Sequence, residues 1–169
     1  SVMESRQWVS TFPQQCILLA DAILFNKNVS KTLNSTSESA RGALASAVQQ
    51  YNERIKHISA HCSPSSSADG KQQEAEGEDE TMDESVLSKY RSLVASGVHH
   101  RDILQQLLDA SVCTSDDFVW QKTLRFSWDD SSELGRCVAR MFDSIMPYGF
   151  EYLGDGPVVV SAATVGAHA

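Results

Sequence analysis

The chain is expected to fold as a mainly α-helical bundle with a small antiparallel β-sheet or hairpin at its C-terminal end. Three observations predict this. From Ile17 to Leu108, apolar residues recur at steps of three and four, the spacing of one helix face. Ser, Thr and Asp stand ahead of several of these stretches, where a helix needs side-chain acceptors for its first amides. Beyond Thr123 the period falls to two, and Gly and Pro punctuate the remainder of the chain.

Trp8-Val9 and Phe12-Pro13 come first, and Pro13 breaks or restarts a helix, a residue well suited to a first helical turn. The helix from Gln14 to Leu33 carries Ile17, Leu18, Ala20, Ile23, Leu24 and Phe25 on its stripe. Ser35-Thr36-Ser37-Glu38 has the form of a capping box and predicts a long helix to about His61, with Leu44, Ala47, Val48, Tyr51, Ile55 and Ile58 inward. Residues 63–80 are serine-rich and then acidic, with no apolar side chain larger than alanine. Such a segment buries too little to offset its ordering entropy, so it reads as a flexible insertion in a helix–helix connection. A regulatory phosphorylation loop or docking tail is the sharper alternative.

Thr81-Met82-Asp83-Glu84 is a second capping box, and the helix after it bears Val86, Leu87, Tyr90, Leu93 and Val94. Gly97 is expected to stop it, with a new helix from His99 to Ala110. Thr114-Ser115-Asp116-Asp117 caps a short helix with Phe118, Trp120 and Gln121. Leu124, Phe126 and Trp128 alternate with Arg125 and Ser127 as in a strand, and Asp129 to Ser132 reads as a turn. Arg136 to Met146 is ambiguous, since Val138, Met141, Phe142 and Ile145 also fit a helix. Tyr148–Leu153, the turn Gly154-Asp155-Gly156-Pro157 and Val158–Ala162 look like a hairpin. The division expected is a helical arm over 1–123, with its insertion at 63–80, and a β-containing junction over 124–169.

The net charge is −8, and residues 69–84, with eight acids against one base, carry −7 of it. The rest is close to neutral, which argues against a nucleic-acid partner, since that needs a basic face. Cys16, Cys62, Cys113 and Cys137 lie far apart with no C-x-x-C, a pattern of a reducing compartment rather than a disulfide framework. No apolar run is long enough to span a membrane and no signal-peptide core is visible, so no membrane association is expected.

No constellation marks an active site. There is no G-x-x-x-x-G-K-[ST] and no G-x-G-x-x-G ahead of a helix, so this chain alone is expected to have no ATPase activity. His57 and His61 stand four apart near Cys62, but no further ligand pair follows, and surface histidines at a helix C-terminus are the better reading. His99-His100-Arg101-Asp102 reads as helix-start electrostatics, with Asp102 near the positive end and Arg101 paired locally. Trp120, Phe126, Trp128, Tyr148, Phe150 and Tyr152 crowd one stretch, and aromatics at that density are expected to form a core that ties the helices to the sheet.

Four stretches in order carry a resemblance. They are Val98-His99-His100-Arg101-Asp102, Asp117 to Trp128, Tyr148-Gly149-Phe150-Glu151-Tyr152-Leu153-Gly154, and Val158-Val159-Val160-Ser161. This order resembles the dynein heavy chain where its linker arm joins the first AAA+ module, which reads V-H-A-R-D, D-F-x-W-x-x-Q-L-R-Y-Y-W, Y-G-Y-E-Y-L-G and R-L-V-I-T-P-L-T-D-R. Trp8, Pro13 and Gln15 also match the start of a linker helix that in the family ends in W-T, here Phe25-Asn26. The resemblance implies a dynein-linker-like bundle and favours a strand for Arg136 to Met146, paired with 124–128.

It further implies a function: the root of the mechanical linker of an ATP-driven microtubule motor, non-catalytic by itself. ATP and magnesium would belong to the parent protein, not to this fragment. Ser161-Ala162-Ala163-Thr164 stands where the family has T-P-L-T, which places Ala162 and Ala163 as adenine neighbours by resemblance alone. The implied partners are the AAA+ ring of the same heavy chain, microtubules and other dynein subunits. The implied location is the cytoplasmic cytoskeleton or a ciliary axoneme. The alternative reading is a stand-alone helical interaction scaffold with an acidic regulatory loop.

Overall fold

The computed structural model describes residues 5–62, 83–131 and 135–149. The expected insertion at 63–80, the hairpin beyond Gly149, Phe150, Tyr152, Ala162 and Ala163 lie outside the described residues. Among those described, helices α1 (Arg6–Thr11), α2 (Gln14–Leu33), α3 (Ser37–Ala60), α4 (Glu84–Asp109) and α5 (Phe118–Gln121) precede strands β1 (Arg125–Asp129), β2 (Arg136–Met141) and β3 (Ser144–Pro147). The mainly helical class with a small C-terminal antiparallel sheet is what the sequence predicts.

Each helix starts and stops for a local reason. Ser5 Oγ caps α1 by accepting from Trp8 N at 3.3 Å. Its last carbonyls are closed by Lys89 Nζ, which reaches Val9 O at 3.0 Å and Phe12 O at 2.9 Å. Pro13, lacking an amide to satisfy, then stands at the N-cap of α2. The capping box expected from Ser35 does not form. Thr36 is the N-cap of α3 and makes no side-chain cap bond, while Ser35 Oγ donates back to Thr32 O at 2.6 Å. Asp83 caps α4 by accepting from Ser85 N at 3.0 Å, in place of the expected Thr81, which lies outside the described residues.

The expected stop at Gly97 is overturned: α4 runs unbroken from Glu84 to Asp109. Its buried row Val86, Tyr90, Leu93, Gly97, His100, Leu104, Leu107 alternates steps of four and three, the heptad period of two helices wound together. Gly97 is a packing residue there, since a Cβ on it would lie 3.2 Å from Ile55 Cγ1 of α3. Ser111, the residue after the C-cap Ala110, terminates the helix at φ 54°, where Ser111 N donates to Leu108 O at 3.0 Å and Val112 N to Leu107 O at 2.9 Å. These two bonds are the Schellman arrangement, and Val112 is buried beside Leu107 as that motif requires.

The sheet has the order β1-β2-β3, antiparallel throughout, with Ser127 opposite Val138 and Ala139 opposite Met146. Arg136–Met146 is therefore not a helix but a strand, a two-residue turn and a second short strand. The apparent helical cluster splits, with Val138 and Met141 in β2, Ile145 in β3 and Phe142 in the turn at φ 51°. Phe142 N donates to Gln121 O at 2.9 Å, which ties this turn to the end of α5. Gly135 enters β2 at φ 63°, where a Cβ would fall 2.6 Å from the Trp128 ring, so only glycine fits.

Among the described residues, two apolar cores form between the helices. One gathers Val9, Ile17, Ile58, Val86, Tyr90 and Leu93. The other gathers Phe25, Val29, Leu33, Leu44, Leu104 and Trp120, among others. All four cysteines are free thiols.

Candidate functional site

The sheet meets the bundle on α2. Tyr148 N donates to Cys137 O at 2.9 Å. By the antiparallel alternation, Cys137 and Ala139 then turn their backbone groups toward β3, and Phe126, opposite Ala139, faces away from β2. That outward carbonyl accepts from Asn26 Nδ2 at 3.1 Å. Asn26 is buried, so its amide both covers the edge that β1 presents among the described residues and joins strand to helix.

The expected aromatic junction residues occupy three surroundings. Trp120 is fully buried in the helical core, with the Arg125 guanidinium 5.7 Å above its ring. Arg125 is fixed by a 2.6 Å bond from Nη2 to Gln121 Oε1, and burial, with Arg140 adding, lowers its pKa. Phe126 and Tyr148 meet edge to face at 5.0 Å, and Gln15 Nε2 stands 3.5 Å from the Tyr148 hydroxyl. These two rings wall a groove of about 760 Å³ between α2, α4 and β1, floored by Leu18, Phe25 and Ile103. Trp128 does not join them. It is 53% exposed, turned out over Gly135 and opposite the small Cys137.

A buried polar layer, absent from the sequence reading, separates the two apolar cores. Asp21 of α2 accepts from Arg54 Nη2 of α3 at 2.8 Å and from Ser96 Oγ of α4 at 2.9 Å. His100 of α4 stacks on Phe25 at 4.0 Å, and Tyr51 meets both rings edge-on. His100 Nδ1 lies 3.5 Å from Asp21 Oδ2, an electrostatic contact rather than a hydrogen bond. Burial drops His100 to a pKa of about 4, with His99 and Arg54 pushing the same way and Asp21 opposing, so the ring is neutral near pH 7.

The histidine motif is thus corrected. His99 to Asp102 lie in the middle of α4, not at a helix start, and His100 is buried between three helices. Arg101 and Asp102 do pair, at 2.6 Å. His57 and His61 meet at 5.4 Å near the end of α3, and His61 stacks on Tyr90. Among the described residues no three His, Cys, Asp or Glu side chains are grouped to hold a metal ion. Nor is any helix among them long and apolar enough to cross a membrane. At the β1 turn, hydrogen bonds from Ser131, with help from Arg136, hold Asp129 at a pKa of about 2.

No family model matches the chain. Curated proteins do. It is 30% identical to dynein axonemal heavy chain 6 of Homo sapiens over 152 residues, 90% of this chain and 3% of that protein. It is 29% identical to cytoplasmic dynein 2 heavy chain 1 of Rattus norvegicus over 154 residues, 89% of this chain and 3% of the relative. It is 26% identical to the dynein alpha chain of the flagellar outer arm of Chlamydomonas reinhardtii over 155 residues, 91% of this chain and again 3% of the relative. The similarity thus runs almost the whole length of the chain, which spans only about 3% of each relative, and the relatives include both axonemal and cytoplasmic dyneins.

Proposed function

We propose that this chain is the root of the mechanical linker in a dynein heavy chain, the stretch through which the arm passes into the first AAA+ module. Residues 1–123 are the last helices of the arm and 124–169 the junction. The observation that carries this reading is the join between α2 and β1. A helix of 20 residues, itself packed on two longer ones, is bonded through a buried amide to the edge strand of a small sheet. Helices of this length resist bending, so a rotation of the sheet at the root becomes a displacement at the far end of the bundle. Trp120 supports the same reading, since it plugs the core at the point where the helices give way to strands.

The chain's own part in the cycle is passive. With no phosphate loop in its sequence, its proposed part is mechanical, and ATP with its magnesium would belong to the rest of the motor. Ala162 and Ala163 remain proposed adenine neighbours by the family pattern alone. The parent motor would work on microtubules, in the cytoplasmic cytoskeleton or an axoneme, with the ring of the same chain as the immediate partner.

A stand-alone interaction scaffold is the second reading, favoured by the apolar groove beside Phe126 and by the exposed Phe118–Phe142 pair. Sequencing the transcript through the codon for Ala169 separates the two. The linker reading expects the frame to continue into a G-x-x-x-x-G-K-[ST] loop within some tens of residues. A stop codon directly after Ala169 would reject it and leave the scaffold.

A further inference from the structure

We propose that Asp21, Arg54, Ser96 and His100 form a register lock, a polar layer that holds α2, and the sheet attached to it, at one position along the α3–α4 pair. Along the buried row of α2, Ile17, Asp21, Phe25, Val29 and Leu33 succeed one another at steps of four, and every member but Asp21 is apolar. Sliding α2 by four residues, about 6 Å with a turn of about 40°, sets Val29 and either Phe25 or Leu33 where another apolar side chain had been. Apolar burial is non-directional, so it discriminates poorly between the two registers.

The polar layer does discriminate. In the slipped register Ile17 or Phe25 would face Arg54, whose side chain is only 17% exposed, and the Asp21 carboxylate would leave both Arg54 and Ser96 for an apolar core. A buried charge removed from its partner is strongly unfavourable. The pair α3–α4 needs no such device, because Ile55 seated against Gly97 keys those two helices by shape. The helix held by charge is also the one bonded to the sheet, through Asn26 and Phe126. Opening the layer would free α2 and β1 together, as one body, in discrete steps of one turn. This inference stands on the packing alone and does not depend on the motor reading.

The test is the double variant Asp21→Leu/Arg54→Met in the full chain, compared with the parent by thermal unfolding and by amide hydrogen exchange. Replacing both charges together with apolar side chains of similar size is expected to keep the fold, with a melting temperature at or above the parent's. Exchange in α2 and β1 should nevertheless rise by about tenfold or more as a unit, while the α3–α4 contact stays protected. Three results would overturn the lock: unchanged exchange in α2, a rise spread evenly over all helices, or global unfolding of the double variant. The single variant Asp21→Leu, which removes the carboxylate that Arg54 now binds, should melt lower than the double variant, and the reverse order would also sink the idea.

Discussion

Gly42 and Gly97 offer the same substitution in two settings, and the difference lies in the atoms each would touch. A Cβ added at Gly42, on the exposed face of α3, meets nothing within 4 Å. Alanine there gains the helix preference alone, about 1 kcal/mol, or roughly 2–4 °C in melting temperature for a chain of this size. At Gly97 the new Cβ falls 3.2 Å from Ile55 Cγ1 and 3.9 Å from its Cδ1. Ile55 is half-buried and can yield a few tenths of an ångström, so Gly97→Ala forfeits most of the same gain and should land within about 0.5 kcal/mol of the parent. Gly97→Leu must hold α3 and α4 apart. Overpacking costs about 1–3 kcal/mol against the same 1 kcal/mol of preference, a net loss of about 0–2 kcal/mol. Urea unfolding followed by circular dichroism measures all three. Were Gly97→Leu as stable as Gly42→Ala, the close approach of the two helices would be wrong, and Gly97 would be no key.

Other perturbations act at single sites. Ser111 holds the left-handed position at the end of α4, φ 54°, so Ser111→Gly should raise stability by up to about 1 kcal/mol in the same assay. Trp120→Ala removes a fully buried ring and should cost about 3–5 kcal/mol in the same assay, a large fraction of a typical domain's stability. For His100 the folded value of about 4 lies below the ordinary 6.5, so between them the unfolded chain binds the extra proton. The stability it contributes is full above pH 6.5 and falls as the pH drops towards 4, by up to about 3 kcal/mol. Unfolding curves at pH 7 and pH 4.5 should show a smaller difference for His100→Phe than for the parent, and equal differences would refute the assignment.

Local features are legible in the sequence, and features shared between elements are not. The span of α2 is readable to the residue, because Pro13 starts it and the apolar steps continue to Leu33. The break expected at Gly97 treats glycine as punctuation. Counting on from Leu93 through Gly97 and His100 to Leu104 keeps the alternation of four and three, and that signal points to one helix. The stretch from Arg136 to Met146 holds too few residues for periodicity to decide, and pairing with β1 decides it. Asp21 stands at a core spacing between Ile17 and Phe25, a visible oddity, but its partners lie on two other helices. Asn26 stands out in the sequence only as half of a Phe25-Asn26 pair, and its bond to Phe126 spans 100 residues. The grouping of the aromatics is legible for Phe126 and Tyr148, whereas the outward turn of Trp128 depends on Gly135 across the turn.

In the linker reading, force passes between bundle and sheet through the join of α2 to β1. Asn26→Leu keeps a buried side chain of similar bulk but leaves the Phe126 carbonyl without its donor, a loss of about 1–3 kcal/mol confined to that join. Placed in a full-length heavy chain carrying this sequence, it should slow microtubule gliding while ATP turnover by the ring stays at the parent rate. Gliding at the parent speed would contradict the reading, as would gliding and turnover falling in equal proportion.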